Sequence, residues 1–338
     1  MGSTGERQTN LELLRILSMF FVLILHANFG IIGVPEVSDF IGEDCLTSTL
    51  RVFVEFLAIG CVNIFILISG YFGLNFSINK LLNLGFQIMF FALVSLLITC
   101  SFSVKSLLEL FCLDGSLWFV CSYLLLMFFA PILNSFVENA NKHDLLLFIL
   151  LFFSFQTIYG WIFHSVGFFL DGYSPISFMG LYLLGRYIKR HSGPLFRLDY
   201  RCDLYIYIST CVLMTFAVVL FARHGIFIGR LFSYINPLVI MSAVYLLLFF
   251  SKIKIGGKAS VLKSIIFFFS SSSFAVYLFH GNANIYQYFV CVVQYLWECK
   301  FGFALIILFL LFVFFVAVCL DKIRLLSWKF ICSFLEGK

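Results

Sequence analysis

Ten stretches of predominantly apolar residues recur along the chain, near 11–33, 52–72, 81–102, 117–137, 145–165, 175–189, 203–222, 231–250, 265–285 and 301–320. About 20 such residues in a helix cross the roughly 30 Å hydrocarbon core of a bilayer. In that core every backbone N–H and C=O must be satisfied internally, which a helix does within one segment. The pattern predicts an all-α fold, a polytopic membrane helical bundle of about ten transmembrane helices. Composition agrees, since 62% of residues are hydrophobic and 12% charged, more apolar surface than a soluble domain can hide. The alternating ten-residue segments of an outer-membrane barrel are not seen.

The distribution of Lys and Arg sets an expected orientation. With the N-terminus inside, 17 basic residues fall on the inner side, clustered at Arg186–Arg201 and Lys252–Lys263, and only Arg51, Lys105, Arg223, Arg230 and Lys300 fall outside. Both termini are then cytoplasmic. The chain reads as a polar segment (1–10), a transmembrane domain (11–320) and a basic cytoplasmic tail (321–338). The first apolar run lacks a small-residue cleavage site and reads as a retained span. The connections are short, so chemistry is expected within the bundle or at its mouths, and no pair of Gly/Pro-broken spans of the transporter kind is evident. The net charge of +5 lies in short stretches between spans, which topology explains without nucleic acid. Eleven cysteines are scattered without CxxC pairs or metal-ligand spacing, and neither a disulfide framework nor a metal site is expected.

The first apolar run, "NLELLRILSMFFVLILHANFG", carries Glu12, Arg15 and His26. At about 1.5 Å and 100° per residue, Arg15 and His26 lie roughly 16 Å apart on nearly the same face. Arg15 is close enough to the inner boundary to reach the headgroups, and Glu12, three residues earlier, can pair with it. His26 is too deep to reach water that way. An ionisable residue at such depth is a functional candidate, and the alternative is a neutral imidazole bonded to a neighbouring helix. In the ninth run, "IIFFFSSSSFAVYLFHGNANI", His280 is expected at the same depth. Ser270–Ser273 below it either line a polar wall or bond between helices. Glu55, in the second run, is the carboxylate deep enough to orient either histidine, with Arg51 one turn earlier as its nearer partner. Trp118 sits where an interface anchor is expected.

These residues resemble the acyltransferase-3 family of integral-membrane acyltransferases, which typically O-acetylate sugars of cell-surface glycans. "LELLRILSMFFVLILH" is similar to the family's opening, with an Arg, ten residues and a His. "NIFILISGYF", "SLWFVCSYLLLMFFAPIL", "FMGLYLLGRYIKR" and "SSSFAVYLFH" resemble later segments in the same order. The family often carries RxxR after the second span. Here that loop reads "LNFSINKLLNLGFQ", with Lys80 as its only base and Asn83 three later.

The resemblance implies an acyl-CoA donor, usually acetyl-CoA, a glycan or glycolipid acceptor, surrounding membrane lipids as partner, no metal, and a multi-pass place in a bacterial inner membrane. It implies His26 as catalytic residue, either as general base on the acceptor hydroxyl or as an acyl-carrying relay. Arg15 and Lys80 would hold the donor phosphates, with Glu12, His280, Glu55 and Trp118 in support. Two rivals stand beside this reading, a transporter or flippase for a glycan and a non-catalytic export subunit. The identity of the glycan, the face on which it is modified and the oligomeric state are not written in the sequence.

Overall fold

The computed structural model describes residues 8–100 and 117–335, apart from 166, 192, 194–195, 227–228 and 256–260. The helices are α1 (Thr9–Ala27), α2 (Cys45–Ala58), α3 (Cys61–Phe72), α4 (Ile78–Thr99), α5 (Trp118–Asn139), α6 (Lys142–Phe155), α7 (Pro175–Arg190), α8 (Tyr200–Arg223), α9 (Pro237–Lys252), α10 (Val261–Ser270), α11 (Ser273–His280), α12 (Ala283–Trp297) and α13 (Gly302–Leu335). No strand occurs among the described residues. Nine helical stretches among them are long and apolar enough to cross a membrane. The chain is a multi-pass, all-helical membrane protein. The sixth expected span is α7, whose 16 residues extend only about 24 Å.

Two further departures concern continuity. The second span runs from Cys45 to Phe72 but breaks at Ile59–Gly60, where Gly60 packs against Ser242 and Ala243 of α9. The ninth is interrupted at Ser271–Ser272 and again at Gly281–Asn282. Broken helices, not expected from the sequence, are therefore present. The last helix continues through residues expected as a tail, to Leu335.

The chain forms two compact units, residues 1–75 with 122–260, and residues 76–121 with 261–338. In the first, α3 and α7 approach closely because both present glycine at the crossing. A Cβ on Gly70 would collide with the Tyr182 carbonyl, and one on Gly185 with the Leu67 carbonyl. The Tyr182 hydroxyl donates to Asn134 Oδ1 (2.6 Å) and accepts from the Leu74 N–H (2.9 Å), so α5, α7 and the end of α3 are tied together. α8 runs antiparallel to α2, with Arg223 beside Cys45 and Cys211 donating to the Phe56 carbonyl (3.3 Å).

In the second unit, α13 runs antiparallel to the broken path α10–α12. Trp297 meets Phe303, Phe289 meets Phe309, and Lys322 donates to the Phe268 carbonyl (2.6 Å). One 34-residue helix thus partners three short ones.

Gly185→Leu is expected to force α3 and α7 apart, at a cost of about 1–3 kcal/mol typical of overpacking. Thermal unfolding of the detergent-solubilised protein measures it; an unchanged midpoint would contradict the close crossing.

Candidate active site

α1 places Arg15 and His26 on one rod. At the Arg15 end, its guanidinium binds Glu12 Oε1 (3.1 Å) and lies 5.7 Å from the Phe72 ring centre. Glu12 is buried, whereas the Arg15 side chain remains 31% exposed, so one carboxylate only partly covers the cation.

Two cations from α7 reach the same turn of α3. The Lys189 ammonium sits 4.5 Å from the Tyr71 ring centre, and the Arg186 guanidinium lies over Gly73. Gly73 has φ of 79° and no Cβ, and a side chain there would meet Arg186 Nη1 at 2.7 Å. Buried Arg186 Nε has no hydrogen-bond partner among the described residues. Tyr71, Phe72 and Gly73 are thus ringed by three cations and one carboxylate. Just beyond α7, His191 is held below its ordinary imidazole value by burial and then by the charges of Arg190 and Lys142. The end of α7 is a region of positive potential.

At its other end, α1 passes directly into a π-helical turn at Asn28–Ile32, two residues after His26. Such turns are uncommon and often mark functional sites. Buried Asn28 fixes this one. Its Nδ2 donates to Glu55 Oε2 (2.8 Å) and to the Arg51 carbonyl (2.9 Å), while its Oδ1 accepts from Arg51 Nε (3.0 Å). Arg51 also donates to the carbonyls of Asn28 (3.2 Å) and Gly33. Asn28 therefore stands between the two charged residues. The sequence offered Arg51 as the nearer partner of Glu55; an asparagine at a helix end reads as a cap, and its part here is visible only in three dimensions.

The other sequence-derived candidates lie in the second unit. His280 is fully buried, and its Nδ1 is 2.5 Å from the Val276 carbonyl one turn earlier, which requires the proton on Nδ1. Lys80 is exposed in the first turn of α4. Asn83, at the position of the family's second arginine, accepts from Arg324 Nη1 (2.7 Å). Arg324 brings a guanidinium to this place from α13, but it is buried and bound to Asp321 (2.9 Å), which also accepts from Gln87 (2.9 Å). Ser271 accepts from Lys322 (2.9 Å), and Ser273 donates to the Ser270 carbonyl (3.0 Å). Trp118 opens α5, edge-on to Phe119 at 5.9 Å. No group of three His, Cys, Asp or Glu among the described residues is arranged to hold a metal ion.

A family profile described as an acyltransferase domain, that of acyltransferase-3, matches residues 8–323. The chain belongs to the acyltransferase-3 family. It is therefore a membrane acyltransferase in general kind. No curated protein and no solved structure matches it. The matched region takes in both ends of α1, the α3–α7 crossing and about the first two thirds of α13.

Replacing Asn28 by Leu removes the hydrogen bonds to both buried charged partners. Breaking a buried ion pair typically costs about 3–5 kcal/mol, and a loss of that order is expected. Denaturation of Asn28→Leu in the presence of phospholipid checks it; wild-type stability would show that Asn28 does not hold the cluster.

Proposed function

We propose that the protein transfers an acyl group, acetyl from acetyl-CoA, to a hydroxyl of an envelope or surface glycan. The observation that carries this reading is the arrangement along α1 in a chain of this family. A partly open cationic cluster stands at one end, and His26 stands about 16 Å away beside a pinned π-helical turn.

Arg15, Arg186 and Lys189 suit the donor phosphates, because guanidinium groups bind phosphate oxygens bidentately and an ammonium adds a point charge. Gly73 leaves room for Arg186 to turn. The pantetheine arm of a donor held there is long enough to carry the thioester toward His26.

His26 then acts as general base. Its imidazole takes the proton from the acceptor hydroxyl as the oxygen attacks the thioester carbonyl, the C–S bond breaks, and the proton passes to the departing CoA thiolate. The products are an acyl ester of the glycan and free CoA. Base catalysis of this kind contributes about 10²–10⁴-fold. Asn28, Arg51 and Glu55 act through the backbone turn next to His26 and hold the orientation of the ring; they are positioning residues. Glu12 sets the rotamer of Arg15. His280 keeps its proton on Nδ1, toward the Val276 carbonyl, within the second unit.

The positive face with Arg15, Arg186 and Lys189 is the cytoplasmic one in this reading, which agrees with the bias of basic residues and puts acetyl-CoA where it is made. Both termini lie on that side in this reading. A bacterial inner membrane suits a glycan modification of this class.

Glycan-dependent release of CoA from acetyl-CoA is expected for the purified wild type. His26→Ala should reduce the turnover number at least 100-fold, at the lower end of the base contribution. Arg186→Ala should raise the KM for acetyl-CoA by about tenfold, one lost charge-assisted contact, with turnover at saturation little changed. Retention of glycan-dependent turnover in His26→Ala would refute the catalytic role of that residue.

A further inference from the structure

The connection between α8 and α9 does not stay at the membrane surface. Lys252, at the end of α9, binds Asp203 near the start of α8 (2.5 Å), and Asn10 donates to the Ile253 carbonyl (3.2 Å); these contacts mark one level. At the other end of α9, Asn236 Nδ2 lies 4.0 Å from Met214 Sδ. Met214 is eleven residues along α8 from Asp203, about 16 Å, and α8 continues nine residues further to Arg223, about 14 Å more. The segment before α9 therefore descends well below the far end of α8, deep into the first unit.

A second segment meets it there. The Tyr234 N–H donates to the Asp171 carbonyl (3.1 Å), Ser233 Oγ to Asp171 Oδ1 (3.1 Å), and Asn63 Nδ2 from within α3 to the Tyr234 carbonyl (2.9 Å). The connection from α6 to α7 is itself irregular, with positive φ at His164, Leu170 and Asp171. Irregular backbone at membrane depth persists only where protein covers it or where it lines water. Here it carries groups that lipid would not tolerate. The side chains of Asp171 and His164, 3.8 Å apart, are 43% and 57% exposed, and Tyr173 is 44% exposed.

The chemistry here is that of a carbohydrate site. The Tyr173 and Tyr234 rings lie 5.1 Å apart edge to face, so the half-exposed Tyr173 offers an apolar face with a second tyrosine and the partly exposed Asp171 carboxylate nearby in the chain. The C–H face of a pyranose stacks on such a ring while its hydroxyls donate to the carboxylate. Phe232, two residues before Tyr234, stacks on Phe56 of α2 at 4.7 Å and meets Phe29 of the π-helical turn edge-on at 5.0 Å, which places this segment next to the His26 end of α1.

We propose that residues 163–165, 169–174 and 229–236 line a water-filled pocket that binds one sugar ring of the acceptor, with Tyr173 as stacking platform and Asp171 as hydroxyl acceptor. This inference rests on the glycan acyltransferase reading and names the acceptor's place in it. The pocket opens at the end of the first unit opposite the cationic cluster.

The test uses the full-length protein in lipid nanodiscs and, as probe, the surface-polysaccharide fraction purified from the cells that make the protein. Calorimetric binding and CoA release are measured side by side for the wild type, Tyr173→Ala, Asp171→Asn and Tyr205→Ala. Asn tolerates the positive φ at 171, and Tyr205 is an exposed tyrosine on α8 that serves as control. The expected result is polysaccharide binding by the wild type and the control, at least tenfold weaker binding by Tyr173→Ala and Asp171→Asn, and an unchanged thermal midpoint in both. Absence of wild-type binding, or binding unaltered in both pocket variants, overturns the pocket. If the wild type binds through Tyr173 yet releases no CoA, the pocket stands and the acyltransferase reading falls. If glycan-dependent CoA release occurs with the same glycan KM in Tyr173→Ala, the reading stands and the pocket falls.

Discussion

Asn28 binds a guanidinium and a carboxylate at once in the interior of a membrane protein, and the first unit is arranged around that necessity. Arg51 and Glu55 are both buried, where an uncompensated charge is costly. The amide can satisfy them together because it carries both a donor and an acceptor on one rigid plane. To present that plane, α1 departs from α-helical geometry into a π-helical turn directly after His26. The same contacts that stabilise the cluster thus set the position of the one histidine in α1.

Two kinds of constraint divide the molecule's polar chemistry. Where charge is buried it is tied down, as in Asp321 with Arg324 and Gln87 or Lys252 with Asp203. Where charge is left partly open it gathers at particular ends of the helices. Arg15, Lys189 and Arg186 surround a single turn of α3, and the glycine at its end removes the side chain that would fill the space. The contrast between Arg324 and Arg186 is instructive. Both are arginines expected on the inner side, but Arg324 is bound on two sides by protein, while Arg186 keeps a buried Nε without a protein partner among the described residues.

The fold class was legible because runs of about 20 apolar residues carry a strong and local signal. The breaks in those runs were not. Gly60 is surrounded by apolar residues and gives no turn signature, and Ser271–Ser272 reads as the small-hydroxyl composition common between packed helices. Hydropathy counted the short α7 as a span, but its 16 residues fall below a full crossing and it is not among the nine stretches long and apolar enough to make one. In the site, spacing alone brought out Arg15 and His26. Arg186 and Lys189 read as ordinary topogenic charge, since nothing in the sequence tells a loop cation from one folded back over a neighbouring helix. The eighth apolar run already took residues 231–236 into the membrane; what it did not show is that α9 begins only at Pro237, so that these residues lie there outside an α-helix.

In the proposed function these features are joined as a path with a cationic end, a histidine part-way, and a hydroxyl- and carboxylate-bearing end. The most direct measurement is transfer across a membrane in proteoliposomes of known, uniform orientation. Acetyl-CoA labelled in the acetyl group is supplied only to the face bearing Arg15 and Lys189, and the polysaccharide only to the opposite face. The account predicts label on the polysaccharide and none when acetyl-CoA is supplied to the other face. Label that appears only when donor and polysaccharide share a face would contradict it.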